Sequence, residues 1–215
     1  MSIKHELQRI IYGTGAIGKK DIIKKITNHL RTGKKTGVAN EGKKYTKQQE
    51  EEKLIQFIDE YNFWYTQAIS ENNKIGEGSE QKVFYDYNKG TVLKTNDSIF
   101  FEYWEDYLNN LLIHNYLFPD TAYTLLGFKK IDAILYAVVE QQHIIRTKDI
   151  DLENVKTFLL RNGFENTRRN DYYNKDLGII LEDLHDENVI NSNEVLFFID
   201  TVFYITDEFN KDAHE

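Results

Sequence analysis

The chain has 215 residues, of which 40% are hydrophobic and 13% aromatic, and its formal net charge is -8. This composition excludes an intrinsically disordered chain and allows one domain with an appendage, or two small domains. The lack of cysteine excludes disulfides, thiolate metal sites and thiol nucleophiles. No apolar run approaches the roughly 18 residues that span a bilayer, and the N-terminus lacks a signal-peptide pattern. We therefore expect a cytoplasmic protein with no membrane partner.

The first 72 residues predict a helical region. Helices are expected over residues 3–12 and 20–31. The polar, Gly- and Lys-rich stretch 32–46 predicts a loop, and Thr46 is a typical N-cap for a further helix that would continue to about Ser70. We expect residues 1–72 to form an N-terminal helical, basic region that precedes the main domain.

Charge is unevenly distributed along the chain. Residues 1–50 contain 12 Lys or Arg and 4 Asp or Glu, whereas the rest of the chain contains 15 basic and 31 acidic side chains. A solvated surface would account for this distribution. Alternatively, the basic region binds nucleic acid or the acidic remainder of the same chain.

From residue 73 onward, short runs rich in β-branched and aromatic residues predict strands. These lie at 74–85, 91–95, 123–128, 133–140, 170–174, 178–182 and 196–200. Helices are predicted at 98–116 and 151–162. This order of elements is typical of an α+β domain, which we expect to comprise residues 73–215.

The segment Gly13–Lys19 fits two phosphate-binding patterns, G-x-G-x-x-G and G-x-x-x-x-G-K. Both patterns require a strand that enters the loop, so that backbone N–H groups face the phosphate. The residues before Gly13 have helical periodicity instead, and Lys20 replaces the Ser or Thr that binds magnesium in a P-loop. A turn between two helices is the favoured interpretation, and phosphate binding is the alternative.

A second glycine pair, Gly76 and Gly78, is followed by Ser79 and lies between strand-like runs. Val83 follows it, and Lys94 lies on the next predicted strand. A glycine hairpin followed by a strand lysine is typical of a loop that covers nucleotide phosphates. Hairpins also use glycine for turn geometry, so the pair alone is weak evidence.

Three polar residues near the C-terminus have an informative order and spacing. Asn188 follows Asp183 by five residues, and Asp200 ends the apolar run that predicts a buried strand. Each could separately cap an element or form an Asx-turn. Together they have the layout of a catalytic carboxylate followed by two oxygen ligands for a metal.

With these residues, the chain resembles the protein-kinase-like superfamily over residues 73–205. The resemblance is closer to the small kinase domain found in polyvalent proteins of phages and conjugative elements. The matching motifs are Ile75–Glu80, Val92–Lys94, His114–Asp120, Leu126–Phe128, Val138–Gln141, Asp183–Ile190 and Phe198–Asp200. The resemblance implies a minimal two-lobe fold, with an antiparallel N-lobe sheet plus a helix and a much reduced C-lobe. It also implies phosphoryl transfer with ATP and Mg²⁺.

The resemblance assigns roles to individual residues. Lys94 would neutralise the α- and β-phosphates, and Glu105 on the following helix would hold Lys94. Asp183 would be the catalytic base or a carboxylate that orients the acceptor hydroxyl, and Asn188 and Asp200 would be the magnesium ligands. The nucleotide-binding residues would be Gly76, Gly78, Ser79, Val83, Lys94, Glu140 and Gln141, of which the last two lie in a hinge segment, residues 139–143, whose backbone meets adenine.

The sequence departs from the kinase pattern at several points. Gln81 replaces the third glycine of the loop, and Thr201 and Val202 stand where Phe and Gly usually follow the metal-binding Asp. We expect the lobe that presents a peptide substrate to be largely missing. The acceptor could be a protein or a small molecule. A nucleotide-binding pseudokinase or interaction module of a mobile genetic element is the alternative to an active phosphotransferase, and a nucleic-acid-associated protein is the third hypothesis.

Overall fold

The structure is a computed structural model that describes residues 2–13, 22–41 and 45–211, with the backbone alone for residues 33–41. The helices are α1 Ile3–Tyr12, α2 Ile22–Glu41, α3 Lys47–Glu60, α4 Trp104–Leu117, α5 Leu152–Arg161 and α6 Asp207–Asn210. The strands are β1 Lys74–Glu77, β2 Gln81–Asp86, β3 Thr91–Asn96, β4 Thr124–Ile131, β5 Ile134–Gln142, β6 Glu165–Arg168, β7 Asp171–Asn174, β8 Ile179–Glu182, β9 Val189–Ser192, β10 Val195–Phe198 and β11 Val202–Ile205. Helices and antiparallel strands confirm the α+β class. Within the described ranges, no helix combines the length and apolar character needed to cross a bilayer.

The second helix is longer than its sequence predicts. α1 matches the predicted range, but α2 continues to Glu41, so the loop prediction is wrong for residues 32–41. The two glycines of this stretch cost about 1 kcal/mol each relative to alanine. A helix that is already nucleated tolerates such residues because each further residue adds a hydrogen bond.

The third helix is capped as predicted but ends about ten residues early. Thr46 Oγ1 accepts from Gln49 N at 3.2 Å, and Gln49 Oε1 accepts from Thr46 N at 3.0 Å. α3 ends at Glu60, and Asn62 then adopts a φ of 50°. The following segment, Phe63–Tyr65, joins β4 through hydrogen bonds from Tyr65 N to Phe128 O (2.7 Å) and from Phe128 N to Phe63 O (3.1 Å). We call it the edge segment.

Contacts divide the chain into two compact units, and the first of them contains residues 14–111 and 122–143. Five antiparallel strands form its sheet in the order β1-β2-β3-β5-β4. The side chain of Trp104 is fully buried and lies edge-on to Phe128, with ring centroids 5.8 Å apart. The sheet contains the predicted glycine hairpin, the lysine strand and the predicted hinge segment.

The second unit contains residues 1–13, 112–121 and 144–215. It has a four-stranded antiparallel sheet in the order β11-β8-β7-β6, and the hairpin β9-β10. Its buried core includes Leu7 and Ile11 of α1 as well as Leu181, Phe198 and Phe203. The first helix is therefore part of this unit's core. The boundary after residue 72 stays a prediction.

Three strands of the second unit were not predicted from the sequence. They are β6, β9 and β11, each four residues long. All four residues of β6 are exposed, so its sequence contains no apolar alternation. β11 begins two residues after Asp200, the residue at which the predicted strand 196–200 ends.

Candidate active site

The glycine hairpin consists of β1, β2 and the turn between them. Gly78 N donates to Gln81 O at 2.7 Å, and Gly76 is in register with Val83. An added Cβ would lie 3.7 Å from Val83 Cβ at position 76 and 3.9 Å from Gln81 O at position 78, both ordinary contact distances. Neither glycine has a positive φ. The hairpin itself therefore leaves room for side chains here, and a bare backbone suits the close approach of a phosphate.

Lys94 lies on β3 inside the five-stranded sheet. It is in register with Val83 on one side and Val139 on the other, and only 3% of its surface is exposed. Its Nζ lies 5.4 Å from the centroid of the Tyr123 ring. The ammonium group of Lys94 is thus held inside the sheet, and its role toward nucleotide phosphates stays a prediction.

Glu105 lies in the first turn of α4 and is buried. Its Oε1 accepts from Arg31 Nε of α2 at 2.9 Å. No sequence pattern indicates this ion pair, because the two residues are 74 positions apart. The predicted pairing of Glu105 with Lys94 stays a prediction.

Residues 139–142 of the predicted hinge segment are the last residues of β5, and His143 follows the strand. Glu140 is the last position in register with β4, opposite Thr124, whereas Gln141 and Gln142 continue in register with β3 alone. The Glu140 carboxylate accepts from Lys89 Nζ (2.6 Å) and Thr91 Oγ1 (3.2 Å). Because the Glu140 side chain is hydrogen-bonded to Lys89 and Thr91, we expect any contact of Glu140 with a nucleotide to involve its backbone.

Asp183 begins the loop between β8 and β9 with an unusual backbone. Its φ is 56°, a left-handed conformation that costs a non-glycine residue of order 1 kcal/mol. Its amide donates to Asp171 Oδ1 at 3.2 Å, and its carbonyl accepts from His185 N at 3.0 Å. The side chain is 70% exposed. The loop therefore holds the backbone while the carboxylate stays accessible.

Asn188 closes the same loop. Its Nδ2 donates to Asp183 O at 2.7 Å, so its Oδ1 is the atom left to bind a cation. Its backbone carbonyl accepts from Ile199 N at 3.0 Å. That bond continues the β9-β10 ladder beyond Phe198 and brings Asp200, the next residue, beside the loop.

A second ladder brings Asp200 to the same place. β8 and β11 are antiparallel with Val202 opposite Glu182, so the residues before Val202 run alongside those after Glu182. Asp183, Asn188 and Asp200, which the sequence separates by up to 17 positions, are thus gathered by two short ladders. The two ladders thus bring the backbone at these three positions close together, and their role as site residues stays a prediction.

A buried polar network anchors the chain next to Asp200. His114 Nδ1 lies 2.7 Å from Thr201 Oγ1, and His114 Nε2 lies 2.9 Å from Thr121 O. Thr121 Oγ1 donates to Phe198 O at 2.6 Å. The sequence predicted no role for these side chains, although His114 was part of a kinase-like motif. The motif His114–Asp120 indicates that His114 belongs to the kinase-like pattern, but only the structure shows which groups the histidine contacts.

His185 fits a structural role in the loop. Its Nδ1 lies 3.3 Å from Glu187 N, and its Nε2 lies 3.3 Å from Asn188 Nδ2. The same Nε2 lies 3.7 Å from Asp183 Oδ2. The ring thus contacts residues of its own loop, which agrees with a structural role.

The surroundings of the loop suit a divalent cation. Burial raises the pKa of Glu182, and the nearby carboxylates of Asp171 and Asp183 raise it further. Among the described residues, no three His, Asp or Glu side chains converge as a complete metal cage. Mg²⁺ is commonly held by one or two protein oxygens together with phosphates and water, so Asn188 and Asp200 fit it.

The glycine-rich segment near the N-terminus lacks the context of a phosphate loop. It is preceded by α1, a helix, and Gly13 N donates to Arg9 O at 3.0 Å at the end of that helix. A Cβ at Gly13 would lie 2.2 Å from Arg9 O, so the helix end itself requires glycine there. Residues 14–19 lie outside the described residues. The helix before Gly13 agrees with the favoured interpretation.

Several cations of the basic N-terminal region make contacts within the protein. Lys4 Nζ donates to Glu208 O at 2.6 Å, and Lys47 Nζ donates to Phe101 O at 3.0 Å. Arg31 pairs with Glu105, as described above. Some basic side chains of the N-terminal region therefore bind groups within the protein. Nucleic-acid binding by this region stays a prediction.

Comparison with known families identifies the domain. A family model described as serine/threonine/tyrosine kinase found in polyvalent proteins matches residues 47–207. The match begins at the first residue of α3 and includes every predicted site residue from Gly76 to Asp200. No curated protein matches the chain. Since the family model covers well over half of the sequence, the kinase-like fold is confirmed, and the chain belongs to the family of serine/threonine/tyrosine kinases found in polyvalent proteins.

Proposed function

We propose that the protein is an ATP- and Mg²⁺-dependent phosphotransferase that acts on a hydroxyl group of a protein or small molecule. The observation that carries this proposal is the grouping of Asp183, Asn188 and Asp200 by two strand ladders in a member of a kinase family. Phosphoryl transfer requires an accessible carboxylate near the acceptor and oxygen ligands for the metal, which Asp183, Asn188 and Asp200 would supply.

Each residue has a distinct task in this proposal. Asp183 orients the acceptor hydroxyl and takes its proton, and the left-handed backbone with its hydrogen bonds fixes the direction of the carboxylate. Asn188 and Asp200 hold Mg²⁺, which supplies charge neutralisation at the phosphates. Lys94 adds a second positive charge for the α- and β-phosphates, and the bare backbone of Gly76 and Gly78 gives donors to phosphate oxygens.

A transfer assay tests the proposal. Purified protein with γ-labelled ATP and Mg²⁺, alone and with a cell lysate or small alcohols, is expected to give labelled product. Asp183→Asn removes the base but keeps the shape of the side chain, and it is expected to lower the rate at least about 100-fold. Asp186→Asn, an exposed neighbour in the same loop, is the matched control and should change the rate less than about threefold.

The outcomes separate an enzyme from a pseudokinase. Transfer that persists in Asp183→Asn would contradict the assigned base. A rise in melting temperature with ATP and Mg²⁺ but no transfer to any acceptor would favour a nucleotide-binding pseudokinase. If the protein neither binds ATP nor transfers phosphate, both functions are contradicted.

Gly78→Ala tests whether a ligand or the hairpin requires glycine. Because an added Cβ would meet no atom closer than 3.9 Å, we expect the free energy of unfolding to change by less than about 1 kcal/mol. The dissociation constant for ATP should rise about tenfold or more, as measured by calorimetry. Gly90→Ala, in the next turn of the sheet, is the control that should leave ATP affinity unchanged. A large loss of stability in Gly78→Ala would show instead that the hairpin itself needs glycine.

A further inference from the structure

The segment between β3 and α4 is bound by hydrogen bonds from a residue of α3. Lys47 Nζ donates to Ser98 O at 2.5 Å and to Phe101 O at 3.0 Å. Both acceptors are backbone carbonyls of the segment that enters α4, and burial lowers the pKa of Lys47. A side chain that binds two main-chain carbonyls fixes the path of this segment.

The start of α4 is bound by the same helix. Glu50 Oε2 accepts from Trp104 N, the first residue of α4, at 2.5 Å, and Glu51 Oε2 accepts from Trp104 Nε1 at 3.1 Å. The first amides of a helix have no hydrogen-bond partner within the helix. They are usually capped by the side chain of the residue that immediately precedes the helix. Here the cap comes from a residue 54 positions earlier. The position of α4 is thereby tied to α3.

Glu50 is an unusual choice for a cap. It is completely buried, and among the described residues its Oε1 has no hydrogen-bond partner. Burial raises its pKa to about 7, the backbone amides of Trp104 and Glu105 oppose the rise, and the carboxylates of Glu105 and Asp106 add to it. A buried carboxylate close to another carboxylate is costly, so a residue that served stability alone would be poorly chosen here.

The residue next to this cap is the one that the kinase resemblance makes important. Glu105 follows Trp104 directly, and it pairs with Arg31 of α2 at 2.9 Å. α2 and α3 therefore hold two consecutive residues at the start of α4, one through its amide and one through its carboxylate.

We propose that Glu50 is a positioning residue for phosphoryl transfer, which fixes the start of α4 so that Glu105 is correctly placed. The proposal rests on the proposed function, because the expected task of Glu105, holding Lys94, exists only in a phosphotransferase. It assigns a task to α3, whose residues contain no kinase motif, and it agrees with the family match that begins at Lys47.

A double-mutant cycle tests whether Glu50 acts through Glu105. We expect Glu50→Ala to lower kcat at least about tenfold, whereas Glu50→Gln keeps an acceptor oxygen and stays within about threefold of the wild type. In a Glu105→Ala background, Glu50→Ala should change kcat less than about threefold. An equal loss of kcat in both backgrounds would overturn the proposal, because Glu50 would then act independently of Glu105. Glu52→Ala, an exposed change on the same helix, is the control.

A second measurement does not depend on activity. Amide hydrogen exchange of residues 104–107 should be faster in Glu50→Ala than in the wild type and close to wild type in Glu50→Gln and Glu52→Ala. Unchanged amide exchange in Glu50→Ala would overturn the positioning proposal, whether or not the wild type transfers phosphate. A wild type that transfers no phosphate would contradict the proposed function. If Glu50→Ala fails to fold, Glu50→Asp, which withdraws the carboxylate by one methylene, takes its place in both measurements with the same expected directions.

Discussion

Asp200→Asn is expected to lower the rate of phosphoryl transfer at least about 100-fold while the free energy of unfolding changes by less than about 1 kcal/mol. The substitution keeps the size of the side chain and removes one negative charge from the proposed magnesium site. The backbone on either side is held by other groups, Ile199 N on Asn188 O and Thr201 Oγ1 near His114, so the local fold should persist.

The concentration of Mg²⁺ distinguishes a metal ligand from a catalytic base. In Asp200→Asn the Mg²⁺ concentration for half-maximal rate should rise about tenfold or more, because a neutral amide oxygen binds the cation more weakly than a carboxylate. In Asp183→Asn this concentration should stay near the wild-type value while the maximal rate falls. Asp176→Asn, an exposed change in the same unit, is the control for charge alone. An unchanged Mg²⁺ requirement in Asp200→Asn would contradict its role as a ligand.

Gly178→Ala is expected to reduce the free energy of unfolding by more than about 3 kcal/mol, whereas Gly90→Ala should cost only about 1 kcal/mol. Both glycines have a left-handed backbone, with φ values of 70° and 68°, so the conformational cost of alanine is similar. A Cβ at position 178 would lie 2.2 Å from Phe209 N and 2.7 Å from Glu208 C, whereas a Cβ at position 90 would meet nothing within 4 Å.

The clash at position 178 would have consequences beyond one contact. The atoms in the way are the backbone of α6, whose Phe209 side chain is fully buried. The carbonyls of Glu208 and Phe209 accept from Lys4 and Gln8 of α1, so a displaced α6 would also weaken the docking of α1. Denaturant unfolding of the two variants measures the difference, and equal costs would show that α6 yields without penalty.

The sequence predicted those features that depend on local order and spacing. The strand with Lys94, the cap at Thr46 and the grouping of Asp183, Asn188 and Asp200 all follow from residues close in sequence or from motif order. The positions of helix ends were less predictable, because the glycines of α2 are compatible with both helix and loop. α3 ended early because Asn62 adopts a left-handed backbone, which the sequence only permits.

Contacts between distant residues were outside the reach of sequence patterns. Arg31 is one of many basic residues in the N-terminal region, and nothing in its neighbourhood indicates Glu105 as a partner. The cap of Trp104 by Glu50 and the contact of His114 with Thr201 likewise depend on packing of elements more than 50 positions apart. β6 and β11 form only because a neighbouring strand supplies hydrogen bonds, since four residues are too few to show a period.

The edge segment Phe63–Tyr65 has a consequence for aggregation. β4 is the last strand of its sheet, and an uncovered edge strand offers its amides and carbonyls to any other extended chain. The edge segment occupies Phe128 N and Phe128 O, and a Cβ at Gly127 would lie 2.7 Å from Phe63 O, so glycine allows it to approach. A chain that began at residue 73 would keep every kinase motif and lose this cover, and its β4 would become a template for intermolecular sheet growth.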